Sequence, residues 1–242
     1  MNRLWVFGDS YSTYNRERHS EGIRLSIYSD VAKHLNLEEI NNAISGVSSY
    51  DIFGNVLKFL PEYKAGDIVI FQMSFLNRVS YLDKLQYREL NDHETLLFSK
   101  GKSLFLHPQF YHSTKRKLDD FEIEKLSNFM RDIDDNMLDY YFKFLIYVKH
   151  IISFLNKMNV DVRIILLEDK NLKYDSSTTM QVLDIINDLE LGNALIKFGD
   201  KPDLMGVPYY KEEGEYEYHH FSLDTIQKYS EDIKQNFNER KV

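Results

Sequence analysis

The sequence predicts an α/β fold: a three-layer αβα arrangement around a central parallel sheet, with an inserted, partly helical cap. Three observations carry this expectation. Short continuous apolar runs, such as Leu4-Trp5-Val6-Phe7 and Ile68-Val69-Ile70-Phe71, have the length of strands covered on both faces. Between such runs lie segments whose apolar residues recur at i, i+3, i+4 and i+7, the pattern of a helix with one buried side. The two signals alternate along the chain, and that order implies right-handed βαβ units with helices on both faces of the sheet.

In chain order, Leu4 to Phe7 forms the first strand and the polar turn Gly8-Asp9-Ser10 ends it. Tyr28, Val31, Ala32 and Leu35 predict the first helix. Glu39 to Ile44 is the second strand candidate, ending at Ser45-Gly46. Ser48 or Ser49 caps the next helix, whose apolar positions Ile52, Val56 and Leu60 precede the stop at Pro61. Gly66-Asp67 leads into the strand Ile68 to Phe71. From Met73 to about Asp134 the pattern loosens into mixed charge, with an aromatic segment from Phe105 to Tyr111 and the cluster Lys115-Arg116-Lys117. Long structureless loops are rare in compact domains, so residues 73–134 read as an insertion forming the partly helical cap. Leu138, Tyr141, Phe142, Leu145, Val148, Ile152 and Leu155 then mark a long amphipathic helix, followed by the strand Val162 to Leu167. A helix through Met180, Leu183 and Ile186, a short strand near Leu195-Ile196 and a last helix close the chain. That last helix is capped by Ser222 and carries Ile226, Tyr229 and Ile233. All of 1–242 reads as one domain.

Composition narrows the chemistry. The chain has 242 residues and no cysteine, which excludes disulfides, thiolate nucleophiles and cysteine-ligated metal clusters. Its net charge of −8 argues against nucleic acid and against an anionic membrane surface as partners. No stretch approaches the roughly 18 apolar residues of a bilayer span, and the apolar start is too short for a secretory signal, so a cytoplasmic location is expected.

In parallel sheets ligands bind outside the carboxyl ends of the strands, at the topological switch point, which directs attention to the turn after the first strand. Three readings compete for Gly8-Asp9-Ser10-Tyr11-Ser12-Thr13. As a phosphate cradle, the turn sets Asp9 against the anion and lacks a second glycine. As an aspartyl-phosphate site, it has Tyr11 where a second metal-binding carboxylate belongs. The third reading makes Ser10 a nucleophile and requires a histidine delivered to the same sheet edge. Among eight histidines, His219 and His220 lie just before the last helix, where the topology can deliver one.

The turn, with three further blocks, resembles the SGNH, or GDSL-type, hydrolases, which have a flavodoxin-like αβα fold. Val6-Phe7-Gly8-Asp9-Ser10-Tyr11-Ser12 is similar to the family's first block, whose serine is the nucleophile and lends its N–H to the oxyanion hole. Asn42-Ala43-Ile44-Ser45-Gly46-Val47-Ser48 is similar to the second, which makes Gly46 another oxyanion donor. The third block is normally Gly-x-Asn-Asp, but here Gln72-Met73-Ser74-Phe75-Leu76-Asn77-Arg78 lacks the glycine and Asn77 is displaced by one position. Arg78 offers a substitute donor or substrate clamp. Glu217-Tyr218-His219-His220-Phe221-Ser222 resembles the fourth block, with His220 as catalytic base and Glu217 in the usual aspartate's place.

The resemblance implies a serine esterase acting through Ser10, His220 and Glu217, with Ser10, Gly46 and Asn77 meeting the oxyanion. Arg78, His219 and Asp9 are the candidate substrate-binding residues, and Asp9 is also expected to turn aside, accept local backbone N–H bonds and shape the turn. No cofactor or metal is implied: His219 with Glu217, or His107 with His112, falls short of a ligand set. The expected partner is a small-molecule or glycan ester. An acyltransferase using the same pair, and an inactive binding protein on the same fold, are the alternative readings.

Overall fold

The computed structural model describes residues 1–9, 12, 26–44, 48–73, 78–81, 102–105, 128, 132, 136–166, 176–196 and 223–239; for 78–81, 102–105, 176–180 and 223–228 it describes the backbone alone. The elements are β1 (Arg3–Phe7), α1 (Ile27–Leu35), β2 (Glu38–Asn41), α2 (Ser49–Lys58), β3 (Ile68–Met73), β4 (Arg78–Tyr81), β5 (Lys102–Phe105), α3 (Met137–Lys157), β6 (Asp161–Leu166), α4 (Ser176–Asp188) and α5 (Leu223–Glu239). The central sheet has the order β2-β1-β3-β6 and every pairing in it is parallel. Ile164 and Leu195 add a parallel bridge beyond β6, which is the short strand expected near Leu195-Ile196.

Side-chain alternation along each strand divides the core between the two faces of the sheet. Trp5 and Phe7, Val69, Phe71 and Met73, and Val162, Ile164 and Leu166 join residues of α2, α3 and α4. Leu4 and Val6, Ile70 and Ile165 pack with α1 and α5 on the opposite side. The three layers are thus two helical layers enclosing a sheet. The edge strand β2 is short, partly exposed and carries Glu38 and Glu39, features that discourage further strand addition.

The long helix forms where expected, but its buried face differs by a rotation. Leu138 and Phe142 are exposed, whereas Met137 and Phe144 are buried with Tyr141, Leu145, Val148, Ile152 and Leu155. With nearly every turn of this helix apolar, periodicity alone leaves the azimuth underdetermined. Phe144 wins because Tyr50, Phe53 and Phe71 surround it with rings 4.4 to 6.2 Å away. Similarly, α4 buries Val182 and Ile186, with Leu183 only partly covered. Between residues 73 and 134, the described segments include an antiparallel pair, β4 and β5, which the sequence pattern did not announce.

At the amino edge of the sheet, Asp67 ties β1 to the start of β3. Its carboxylate accepts from the Arg3 guanidinium at 2.6 Å, from Trp5 Nε1 at 2.9 Å and from the backbone N–H groups of Arg3 and Lys64 at 3.0 Å each. Burial opposes the charge, but the bonds from Arg3, Trp5 and Lys64 prevail and hold the carboxyl below its ordinary range. Among the described residues, no helix is long and apolar enough to cross a membrane.

Candidate active site

The turn after β1 is built by close backbone approach. The Ser12 N–H donates to the Asp9 carbonyl at 3.0 Å, and a Cβ at Gly8 would lie 2.1 Å from Ser12 Oγ and 3.1 Å from Gln72 Cβ. Glycine is therefore required at position 8 by space alone. Asp9, Ser12 and Gln72 are all fully buried.

Burial obliges these polar groups to find partners, and they find one another. Gln72, from the carboxyl end of β3, donates its amide N–H to Asp9 Oδ1 at 3.1 Å. Its amide oxygen accepts the Tyr28 hydroxyl of α1 at 2.7 Å, and that hydroxyl also lies 3.4 Å from Ser12 Oγ. Burial pushes the Tyr28 hydroxyl well above the ordinary phenol range; the Ser12 hydrogen bond works against this, while the charges of Asp9 and Glu39 add to it. Tyr28 is thus a neutral donor. Asp9 was expected to turn aside onto local backbone N–H groups; its carboxylate is buried and accepts from the long-range Gln72 amide, a partner that local reasoning did not supply.

A second set of bonds holds the turn from β2. Asn41 donates to the Ser12 carbonyl at 2.8 Å and to Glu39 Oε1 at 3.1 Å, while its own Oδ1 accepts the Ala43 N–H. Glu39 in turn accepts the hydroxyls of Ser26 and Ser29 at 2.6 and 2.7 Å. Ser26 is the N-cap of α1, so a protein carboxylate already sits where a helix N-terminus would attract a phosphate.

The segment after β2 continues alongside β1. Asn42 N–H donates to Val6 O at 2.8 Å and Ile44 N–H to Gly8 O at 2.9 Å. On the other face of the sheet, Phe237 near the end of α5 lies under the Arg163 guanidinium, and Asn238 meets His34 in the last turn of α1. The last turn of α1 lies at the amino edge of the sheet, because Glu38 N–H directly after it bonds Asn2 O. The far end of α5, about 25 Å away at 1.5 Å per residue, therefore points to the carboxyl edge, where the β1 turn stands.

Ser10, Gly46, Asn77, Glu217, His219 and His220 lie outside the described residues, as do Ser222, His107 and His112. Arg78 opens β4 and is described by its backbone. Sequence reasoning missed Gln72, Tyr28, Asn41 and Glu39 as parts of this site. One signal was available: Gln72 is a polar residue inside the apolar run Ile68 to Met73, and a buried amide demands partners. Tyr28 gave none, since it occupies an ordinary core position of α1. No group of residues able to hold a metal ion occurs among the described residues.

No protein-family model matches the chain, and no curated protein matches it. Among solved structures, the chain is similar to one described as "The active site of a carbohydrate esterase displays divergent catalytic and non-catalytic binding functions". The identity is 14% and the TM-score 0.45; the match covers 98% of this chain, which spans 65% of the length of that one.

Proposed function

We propose that this chain is a serine esterase that removes a short, acetyl-type acyl group from a carbohydrate or similarly polar molecule. The observation that carries the reading is the position of the β1 turn. In the order β2-β1-β3-β6 the chain first moves outward to β2 and then crosses back over β1 to β3, so the crevice between the carboxyl ends of β1 and β3 is the switch point. Asp9, directly before Ser10, and Gln72, from the third block, meet there.

Two further relations support it. Val6 with Asn42 and Gly8 with Ile44 share an offset of 36 residues (42 − 6 and 44 − 8), and Ser10 with Gly46 are the next pair at that offset. Each is two residues, about 7 Å of chain, beyond a described partner. The entry of α5 at the carboxyl edge favours delivery of His220, three residues before Leu223, to the same place.

In this reading His220 takes the Ser10 proton as the oxygen attacks the ester carbonyl, and Glu217 holds the imidazole in the useful tautomer. The N–H groups of Ser10 and Gly46, with Asn77 or Arg78 as side-chain donor, meet the oxyanion. His220 then protonates the departing alcohol, and water releases the acid from the acyl-enzyme. Asp9 shapes the turn, and Arg78 and His219 are left for the substrate.

Intact-mass detection of labelling by a serine-reactive fluorophosphonate tests this. The native chain is expected to gain one adduct, and Ser10→Ala and His220→Ala are expected to gain none at matched times, since loss of a triad member typically removes a factor of ~10⁴ or more. A native chain that is folded by circular dichroism and stays unlabelled sinks the proposal.

A further inference from the structure

We infer that Gln72 is a positioning residue for Ser10: its amide locks the turn that carries the nucleophile, and it does so without touching substrate. The inference rests on the esterase reading above. Gln72 is fully buried and uses both ends of its amide, the oxygen toward Tyr28 and the nitrogen toward Asp9. Tyr28, a neutral phenol, fixes which end faces which, because its O–H needs an acceptor and so turns the amide N–H₂ toward the carboxylate.

The bonds close on themselves. Asp9 leads to Gln72, Gln72 to Tyr28, Tyr28 to Ser12, and the Ser12 N–H returns to the Asp9 carbonyl. Ser10 and Tyr11 are the two residues spanned by that ring. The esterase reading sets its nucleophile in that short span, and acyl transfer is sensitive to misplacements of about 1 Å. Because the amide is sealed from solvent, its loss acts on the chemical step and leaves substrate binding alone.

Three variants test this, each compared with the native chain for the fluorophosphonate labelling rate, for kcat and KM on an acetyl ester, and for Tm. Gln72→Met keeps the volume but removes both hydrogen bonds; labelling and kcat are expected to fall about 10- to 100-fold with KM within about 2-fold, at temperatures well below its Tm. Gln72→Glu retains the acceptor for Tyr28 but sets a second carboxylate against Asp9. Among the described residues, Tyr28, whose hydroxyl feels the charges of Asp9 and Glu39, is the titratable group bonded to Gln72, and two carboxylates so close must share a proton. Its activity relative to the native chain should therefore rise as pH falls from about 8 to about 5, a dependence that mere loss of packing does not give.

If Gln72→Met fails to fold, Tyr28→Phe removes the hydroxyl that orients the amide and should lower kcat about 3- to 10-fold at constant KM. A labelled native chain whose folded Gln72→Met or Tyr28→Phe variant keeps native kcat, or whose Gln72→Glu ratio is flat with pH, overturns the positioning role and leaves the esterase reading standing. An unlabelled native chain overturns both.

Discussion

A methyl group on Gly8 would stand 2.1 Å from the Ser12 hydroxyl oxygen, so these two residues lie together only while position 8 is glycine. The first prediction follows from that contact. Gly8→Ala is expected to destabilise the chain by about 1–3 kcal/mol in urea unfolding and to abolish fluorophosphonate labelling, because Ser12 must move and the turn with it. Ser12→Gly in the Gly8→Ala background removes the two nearest atoms, leaving Gln72 Cβ at 3.1 Å, and should restore part of the stability. Strictly additive losses in the double variant would show that the clash is not the cause.

Asp67 gives a pH-dependent prediction. Its folded carboxyl titrates below the ordinary 3.8 because the hydrogen bonds from Arg3, Trp5 and Lys64 outweigh burial. A depressed folded value means that the contribution is fully present above the unfolded value and is lost as pH falls through the folded one. Asp67→Asn should therefore cost about 2–4 kcal/mol at pH 7, with the gap to the native chain narrowing only below about pH 4. Urea titrations at several pH values measure this, and a gap that widens on acidification would contradict it.

Ser48 caps α2 reciprocally with Asp51: Asp51 N–H reaches Ser48 Oγ at 3.3 Å and Ser48 N–H reaches Asp51 Oδ2 at 3.0 Å. Removing one side of this box by Ser48→Ala should cost about 1 kcal/mol, and Ser48→Asn appreciably less. Hydrogen exchange at the first turn of α2 is the local readout. Equal protection in native and Ser48→Ala chains would remove the cap from the account.

Phe144 is the rotational anchor of α3. Enclosed by Tyr50, Phe53 and Phe71, its truncation to alanine should cost about 3–5 kcal/mol, whereas Phe142→Ala, at an exposed position, should stay within about 0.5 kcal/mol. Comparable losses at the two positions would mean that the helix is turned as its periodicity first suggested.

The fold was legible because its cause is local and repeated. Runs such as Leu4 to Phe7 and Ile68 to Phe71 can be buried only as inner strands, and the spacing of Tyr28, Val31 and Ala32 admits one helical face. The azimuth of α3 was not legible, since Leu138, Phe142 and Phe144 are equally apolar and only the rings of α2 and β3 choose among them. The pair of β4 and β5 escaped for a related reason: four-residue strands in a stretch of mixed charge leave little periodic signal.

For the site, the sequence by itself determined the alternation that makes a parallel sheet, the turn Gly8-Asp9-Ser10 that ends its first strand, and the histidines held in reserve before the last helix. Those are matters of residue type and order along the chain. Only the tertiary structure decided that β1 lies inside the sheet beside β3, that Gln72 faces Asp9, and that Tyr28 turns the amide between them. The physical reason is that a buried polar group is satisfied by whatever donor or acceptor the fold brings within about 3 Å. Gln72 and Asp9 are 63 residues apart, and no local pattern records such a partner.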